Sequence, residues 1–272
     1  MKIHALLLLI GLMLVSCRTD EERAVVAFNK ANVELDMGDT AAALAYLTEA
    51  VELDPKNSSC WNLLGSSYYA TGETKSAIEA YTQAINIDPN KSAFWRNRAL
   101  SRKDIGDVDG ALSDFSKALD LNPLNSNCWN QRGILHDLGN NYSKAIDDYS
   151  KAIELEPYNS EFYRNRGQSK GQNGDTTGAL NDLTIAIELN PQNPIYWASR
   201  GQFYLDFSAD FSSAIVNFSK AIELDPSDGL YFKMRAIAKN KFGNREGACA
   251  DARVAQELGN FSALIKISHY CN

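Results

Sequence analysis

The nonapeptide YSKAIELEP, residues 149–157, spaces its apolar side chains for one face of a helix and then stops at a proline. Nearly the same ending recurs at LTEAVELDP (47–55), YTQAINIDP (81–89), FSKALDLNP (115–123), LTIAIELNP (183–191) and FSKAIELDP (218–226). Proline cannot continue a helix and disfavours helical geometry in the residue before it, so each copy marks a boundary. Pro55, Pro89, Pro123, Pro157 and Pro191 are 34 residues apart, Pro226 follows after 35, and Pro194 falls where a new helix begins, a place proline tolerates. Trp61, Trp95, Trp129 and Trp197 keep the same register, with Tyr163 and Phe232 standing in for tryptophan in their copies.

Within one unit, Trp61, Leu64, Gly65 and Tyr68 lie on one face of a first helix, and Ala77, Tyr81, Ala84 and Ile85 on one face of a second. Between the two helices stands a glycine (Gly38, Gly72, Gly106, Gly174, Gly243), where positive φ costs nothing; Asn140 takes its place in one copy. Each unit therefore reads as a helical hairpin and the chain as all-α. A fixed period overrides the length of 272 residues as a guide to domain number, because an array grows by stacking. A composition 44% hydrophobic and 22% charged suits a folded chain, and a net charge of −7 without Lys/Arg clusters argues against nucleic acid.

With Ser58 as position 1, the pattern is aromatic at 4, Leu or Arg and then Gly or Ala at 7 and 8, Ala at 20, aromatic or Leu at 24, Ala at 27 and Pro at 32. On these residues the chain resembles the tetratricopeptide repeat family over residues 24–260, in seven units: 24–57, 58–91, 92–125, 126–159, 160–193, 194–228 and 229–260. The resemblance implies a right-handed superhelical solenoid of hairpins with first helices lining a concave groove. One hairpin cannot bury its apolar face alone, which is why the unit repeats. Small residues such as Gly133, Ala145 and Ala152 let backbones approach, and residues 261–272 read as a C-terminal capping helix.

Arg98, Arg132, Arg166, Arg200 and Arg235 recur at position 7. Position 23 of the same units holds Asp114, Asp148, Asp182, Asn217 and Asp251, whereas Ala80 accompanies Leu64. Because the two positions switch together, they read as structural ion pairs between the two helices of a hairpin and not as an anion site. Arg200 is the exception, in the unit whose turn YLDFSADFSS carries an extra residue; exposed Phe207 and Phe211 there read either as a contact point or as a tolerated loop change.

Cys60 and Cys128 share position 3 two repeats apart, beyond disulfide reach, and read as small core residues. Cys249 and Cys271 are symmetric about residue 260, the tip of the last hairpin, so antiparallel packing would bring them together in a disulfide; two free buried thiols are the alternative.

Lys2, the short apolar run 5–15 and Leu14-Val15-Ser16-Cys17 form an export signal that resembles the bacterial lipobox. That implies a signal peptide 1–16, a diacylated Cys17, and a lipidated tether over 17–23, with Asp20-Glu21-Glu22 a solvated linker; an ordinary secretory signal is the competing reading. Arg18 offers no aspartate-type retention cue, which favours the outer membrane, on a side left undecided.

His4, His136 and His269 assemble no triad or zinc set, and GQNGDTTG (171–178) lacks the Gly-Lys-Ser/Thr ending of a phosphate loop. No catalytic residue, cofactor or metal is expected. In the family, positions 2, 5, 6 and 9 of first helices face a bound peptide. Here the resemblance points to Asn62, Arg96, Asn97, Asn130, Gln131, Arg164, Asn165, Gln168 and Gln202, amides able to pair with an extended backbone and arginines able to hold carboxylates. The family's clamp for C-terminal carboxylates is not reproduced, since Arg96 is followed by Leu100, Gln131 and Glu161. The expectation is a non-catalytic scaffold, anchored in the bacterial envelope by acyl chains, that binds a protein or peptide in its groove. The alternative is a structural component of an envelope assembly docking through its convex face or cap.

Overall fold

The structure, a computed structural model, describes residues 19–260 and Cys271. The expected signal peptide, the lipidated Cys17 and the capping helix, apart from Cys271, lie outside the described residues. Among the described residues there are fourteen α-helices and no strand, in the sequential hairpins that the period predicts. They are α1 (Asp20–Met37), α2 (Thr40–Leu53), α3 (Ser58–Ala70), α4 (Thr74–Ile87), α5 (Ser92–Asp104), α6 (Val108–Leu121), α7 (Ser126–Leu138), α8 (Tyr142–Leu155), α9 (Ser160–Gln172), α10 (Thr176–Leu189), α11 (Pro194–Phe203), α12 (Phe211–Leu224), α13 (Gly229–Phe242) and α14 (Arg245–Glu257).

The chain divides into two compact units, one ending at Leu124 and one starting at Asn125, which is a repeat boundary. The first holds three hairpins and the second four, and within each unit every helix packs on the next one in the chain.

Local chemistry sets the helix ends. Asn57, Asn125 and Asn159 accept backbone N–H groups at the starts of first helices, and Asp39, Asp107 and Asp175 do so for second helices. The tether reading needs correction here. Thr19 and Glu22 form a reciprocal capping box, so Asp20, Glu21 and Glu22 are the first turn of α1, where carboxylates favour the positive end of the helix dipole. The first repeat thus begins one turn earlier than residue 24.

Close approach of the helices comes from missing side-chain atoms. The position 20 alanines, Ala43 to Ala248, are wholly buried, and a Cβ on Gly133 would lie 2.7 Å from the Tyr149 ring. Three tryptophans tie their repeat to the preceding boundary: the indole Nε1 of Trp61, Trp95 and Trp197 donates to the carbonyl of Pro55, Pro89 and Pro191 at 3.0, 2.8 and 2.9 Å. The two sequence rulers agree because their residues touch.

The sixth repeat absorbs its extra residue as a π-helical turn, Tyr204–Ser208, ending in Ala209 with φ of +50°. Phe207 is exposed and stacks on Phe203 at 5.2 Å, but Phe211 is half-buried against the core beneath it, contrary to the expectation that both are exposed. The left-handed conformation costs an alanine roughly 1–2 kcal/mol, more than the roughly 0.5–1 kcal/mol of chain entropy that glycine forfeits on folding. Ala209→Gly should therefore stabilise the protein by about 0.5–1 kcal/mol in chemical denaturation; an unchanged or lowered midpoint would show that this turn carries no strain.

Candidate functional site

The position 7 arginines Arg98, Arg166 and Arg235 sit between the second helix of their own hairpin and that of the preceding repeat. Arg98, Arg132, Arg166 and Arg235 each grip the position 23 aspartate of their own hairpin with two hydrogen bonds of 2.7–2.9 Å. Each guanidinium also lies 4.8–5.7 Å from the ring at position 4. Nη1 of Arg98, Arg166 and Arg235 donates backwards to Thr82, Ser150 and Ser219 of the preceding repeat. The aspartates are buried, Asp114 and Asp182 with 1% of the side chain exposed.

A second cation, one helical turn on, completes three of the clusters, and a histidine stands in that place in the fourth. Arg102, Lys170 and Lys239 reach Asp114, Asp182 and Asp251 at 2.9, 2.8 and 2.8 Å, and His136 approaches Asp148 at 3.9 Å. The i, i+4 spacing from the position 7 arginine was the available sequence signal. Where the aspartate is missing, so is this cation: Arg200 bonds to Asn217 at 2.9 Å beside Tyr204, and Leu64 faces Ala80 with Tyr68 one turn on.

The residues expected in the groove are not an open polar row. Asn97 Nδ2 donates to Asn62 Oδ1 at 3.0 Å, and Asn165 Nδ2 to Asn130 Oδ1 at 2.9 Å, so these amides join one repeat to the next. Asn130 and Asn165 are buried, at 2% and 7% exposure, because the neighbouring first helix covers them. Arg96 and Arg164 are half-buried, each holding the Oδ1 of the asparagine that follows it, and Arg164 Nε also donates to Ser199 at 3.1 Å. Gln168 is exposed, Gln131 is half-buried, and Gln202 donates to Asp206.

Beside the asparagines, Tyr81 donates to Ser66 at 3.1 Å, and Tyr149 donates to Asp137 at 2.8 Å, where Ser169 also bonds. Burial raises the pKa of both phenols, with the nearby Arg96 and Arg164 charges opposing the rise. Burial likewise raises Asp137, against the hydrogen bonds from Ser169 and Tyr149. Tyr69, bonded to Asp104, is pushed up to about 12 chiefly by that hydrogen bond.

Cys249 and Cys271 are joined in a disulfide with Cα atoms 5.5 Å apart. Cys60 and Cys128 are buried free thiols, and burial pushes Cys60 up to about 12, which removes thiolate reactivity at neutral pH. Among the described residues no group of three or more His, Cys, Asp or Glu is arranged for a metal ion, and no helix is long and apolar enough to cross a membrane.

Family models described as tetratricopeptide repeat match residues 28–92, 126–159 and 164–228, together more than half of the chain. Among solved structures, a tetratricopeptide repeat protein from Parabacteroides merdae ATCC 43184 superposes with a TM-score of 0.71 at 21% identity, covering 92% of this chain and 100% of its own. Pseudomonas aeruginosa pilF gives 0.64 at 17% identity over 78% of this chain and 96% of its own. YrrB, titled a TPR protein with an unusual peptide-binding site, gives 0.55 at 21% identity over 71% and 99%. At these identities the likeness is one of fold. No curated protein matches the sequence.

Two predictions test the clusters. His136 has its pKa lowered by burial and gives Asp148 no second counter-charge at neutral pH, so Arg132→Leu should cost about 3–5 kcal/mol, largely recovered in the double variant with Asp148→Ala. Equal loss in single and double variants, measured by denaturant melts, would refute the coupling.

The second concerns pH. Burial lowers the His136 pKa from 6.5, with Arg132 and Lys144 adding to the effect and Asp148 and Asp137 opposing it, and Nδ1 has no hydrogen-bond partner among the described residues. The unfolded chain then binds that proton more readily, so stability is lost as pH falls through 6.5 and is intact above it. His136→Tyr, which restores the residue type of Tyr68 and Tyr204, should flatten thermal stability between about pH 7.5 and about pH 5.5. Parallel pH profiles for the two proteins would exclude the effect.

Proposed function

The chain belongs to the tetratricopeptide repeat family, and from that premise we propose a non-catalytic protein–protein interaction scaffold, lipid-anchored in the bacterial envelope, that binds a protein or extended peptide on its first helices. The observation that carries the reading is the state of Arg96 and Arg164. Both are half-buried on first helices, both are held in place by asparagine, and neither has a carboxylate within 4 Å among the described residues. Exposed Gln168 lies one turn beyond Arg164 on the same helix. Of the five position 7 arginines, Arg98, Arg132, Arg166 and Arg235 take an aspartate and Arg200 takes Asn217. An unmatched half-buried charge supports a partner that brings the anion.

The anchoring reading is supported by Leu14-Val15-Ser16-Cys17, where Cys17 would carry the acyl chains, and by the Cys249 to Cys271 disulfide, which suits an oxidising compartment. Arg18 after that cysteine, which is no aspartate-type retention cue, favours the outer membrane.

A photo-crosslinking residue at Gln168 should give adducts with a bound protein in intact cells, whereas one at Val216, 65% exposed on the second helix of its hairpin, should not. Adducts from Val216 alone would point to docking on the outer helices and end the first-helix reading. In the same cells, Cys17→Ser should move the protein from the detergent phase to the aqueous phase; retention in the membrane fraction would remove the anchor.

A further inference from the structure

A period longer than one repeat is present in the chain. Cys60-Trp61-Asn62 recurs as Cys128-Trp129-Asn130, and FWRNR (94–98) recurs as FYRNR (162–166), in each case 68 residues on. The tyrosine hydroxyl at position 24 follows the same rule. It is present in the second and fourth repeats as Tyr81 and Tyr149, while the first, third, fifth and sixth carry Leu47, Phe115, Leu183 and Phe218. The structure turns this spacing into two matching clusters, one in each compact unit. In the first, Arg96 holds Asn97, which holds Asn62, and the Arg96 charge opposes the burial that raises the Tyr81 pKa. In the second, Arg164 holds Asn165, which holds Asn130, and the Arg164 charge opposes the burial that raises the Tyr149 pKa.

Within each cluster the hydrogen bonds run one way. The arginine donates to the first amide and that amide donates to the second, and the guanidinium keeps an edge with no bond among the described residues: Nη1 in Arg96, Nη2 in Arg164. A guanidinium is donor-only, and no carboxylate lies within 4 Å of either one among the described residues. Its complement is a carboxylate, the planar acceptor that a guanidinium edge fits best. A neutral backbone segment would leave the charge unmatched.

We infer that the chain carries two copies of one carboxylate subsite, one in each compact unit and centred on Arg96 and Arg164, and that each takes an acidic side chain of an extended peptide partner. The inference rests on the first-helix binding reading and adds to it the ligand's charge and the number of subsites. Asn97 and Asn165 are positioning residues in it. The copies are not identical: Arg96 gives both Nε and Nη2 to Asn97 whereas Arg164 gives Nε to Ser199, and the tyrosine donates to Ser66 in the first and to Asp137 in the second.

The test uses the full chain and a blocked serine-glycine peptide with one central glutamate, beside its glutamine counterpart. Arginine Nε–H resonances are followed by NMR, assigned by their disappearance in Arg96→Gln and Arg164→Gln. The glutamate peptide should shift both resonances, and the glutamine peptide should bind about tenfold more weakly or less. Each substitution should abolish its own site and leave the other responding, which also shows that the variant is folded. Asn97→Ala should weaken the response of Arg96 and leave that of Arg164 unchanged. Movement of only one resonance, of neither, or equal response to both peptides overturns the duplicated subsite. Adducts from Gln168 with silent arginines would bring down this inference alone, whereas silence in both experiments would bring down the first-helix reading with it.

Discussion

The distance of closest approach between neighbouring helices governs the rest of this molecule. A methyl group at positions 20 and 27, and a hydrogen or methyl at position 8, let the helix backbones come together; Gly133 could not carry even a Cβ without meeting the Tyr149 ring. At that separation little volume remains inside one hairpin, so its apolar surface is completed by the next repeat. The large side chains stand where hairpins meet, and the tryptophan indoles bond to the boundary proline carbonyls, which fixes the junction in angle as well as spacing. The period of 34 is a consequence: an extra residue has to go where no such contact is broken, and in the sixth repeat it goes into the π-helical turn between the two helices.

A buried aspartate is the second constraint. Taking a carboxylate into a helix seam costs several kcal/mol unless its charge and lone pairs are met. Here a bidentate guanidinium, a second cation one turn away and, behind the guanidinium, an aromatic face and a hydroxyl of the preceding repeat meet them together. One arginine therefore touches three elements. The second repeat, with Leu64 against Ala80, closes its hairpin without any of these ions, so the cluster is not what makes a hairpin fold. Its reach into the previous repeat ties it to alignment between hairpins.

The fold was legible because prolines and tryptophans mark one period with residues that meet in space. The ion pairs were legible because positions 7 and 23 change together within a single chain. The second cations were less visible, since Arg102, Lys170 and Lys239 look like solvated charges until the aspartate is known to be buried. The helical start at Asp20 was hidden by an acidic run that resembles a linker, although the Thr19 and Glu22 spacing of a capping box was present. The amide pairs could not be seen from one repeat at a time: they join position 5 to position 6 of the following unit, a contact that aligning repeats on each other does not display.

That last point bears on the proposed binding of a ligand by the first helices. Asparagines free to pair with any extended backbone would make a sequence-tolerant surface. With Asn97 and Asn165 bonded to Asn62 and Asn130, the amides hold the arginines, and in the proposed reading selectivity passes from backbone shape to charge. An ordered guanidinium loses less rotamer freedom on binding than a flexible one, so holding it beforehand favours association without a new contact. The burial that keeps Asn130 and Asn165 from a ligand is thus the same burial that makes Arg164 ready for one.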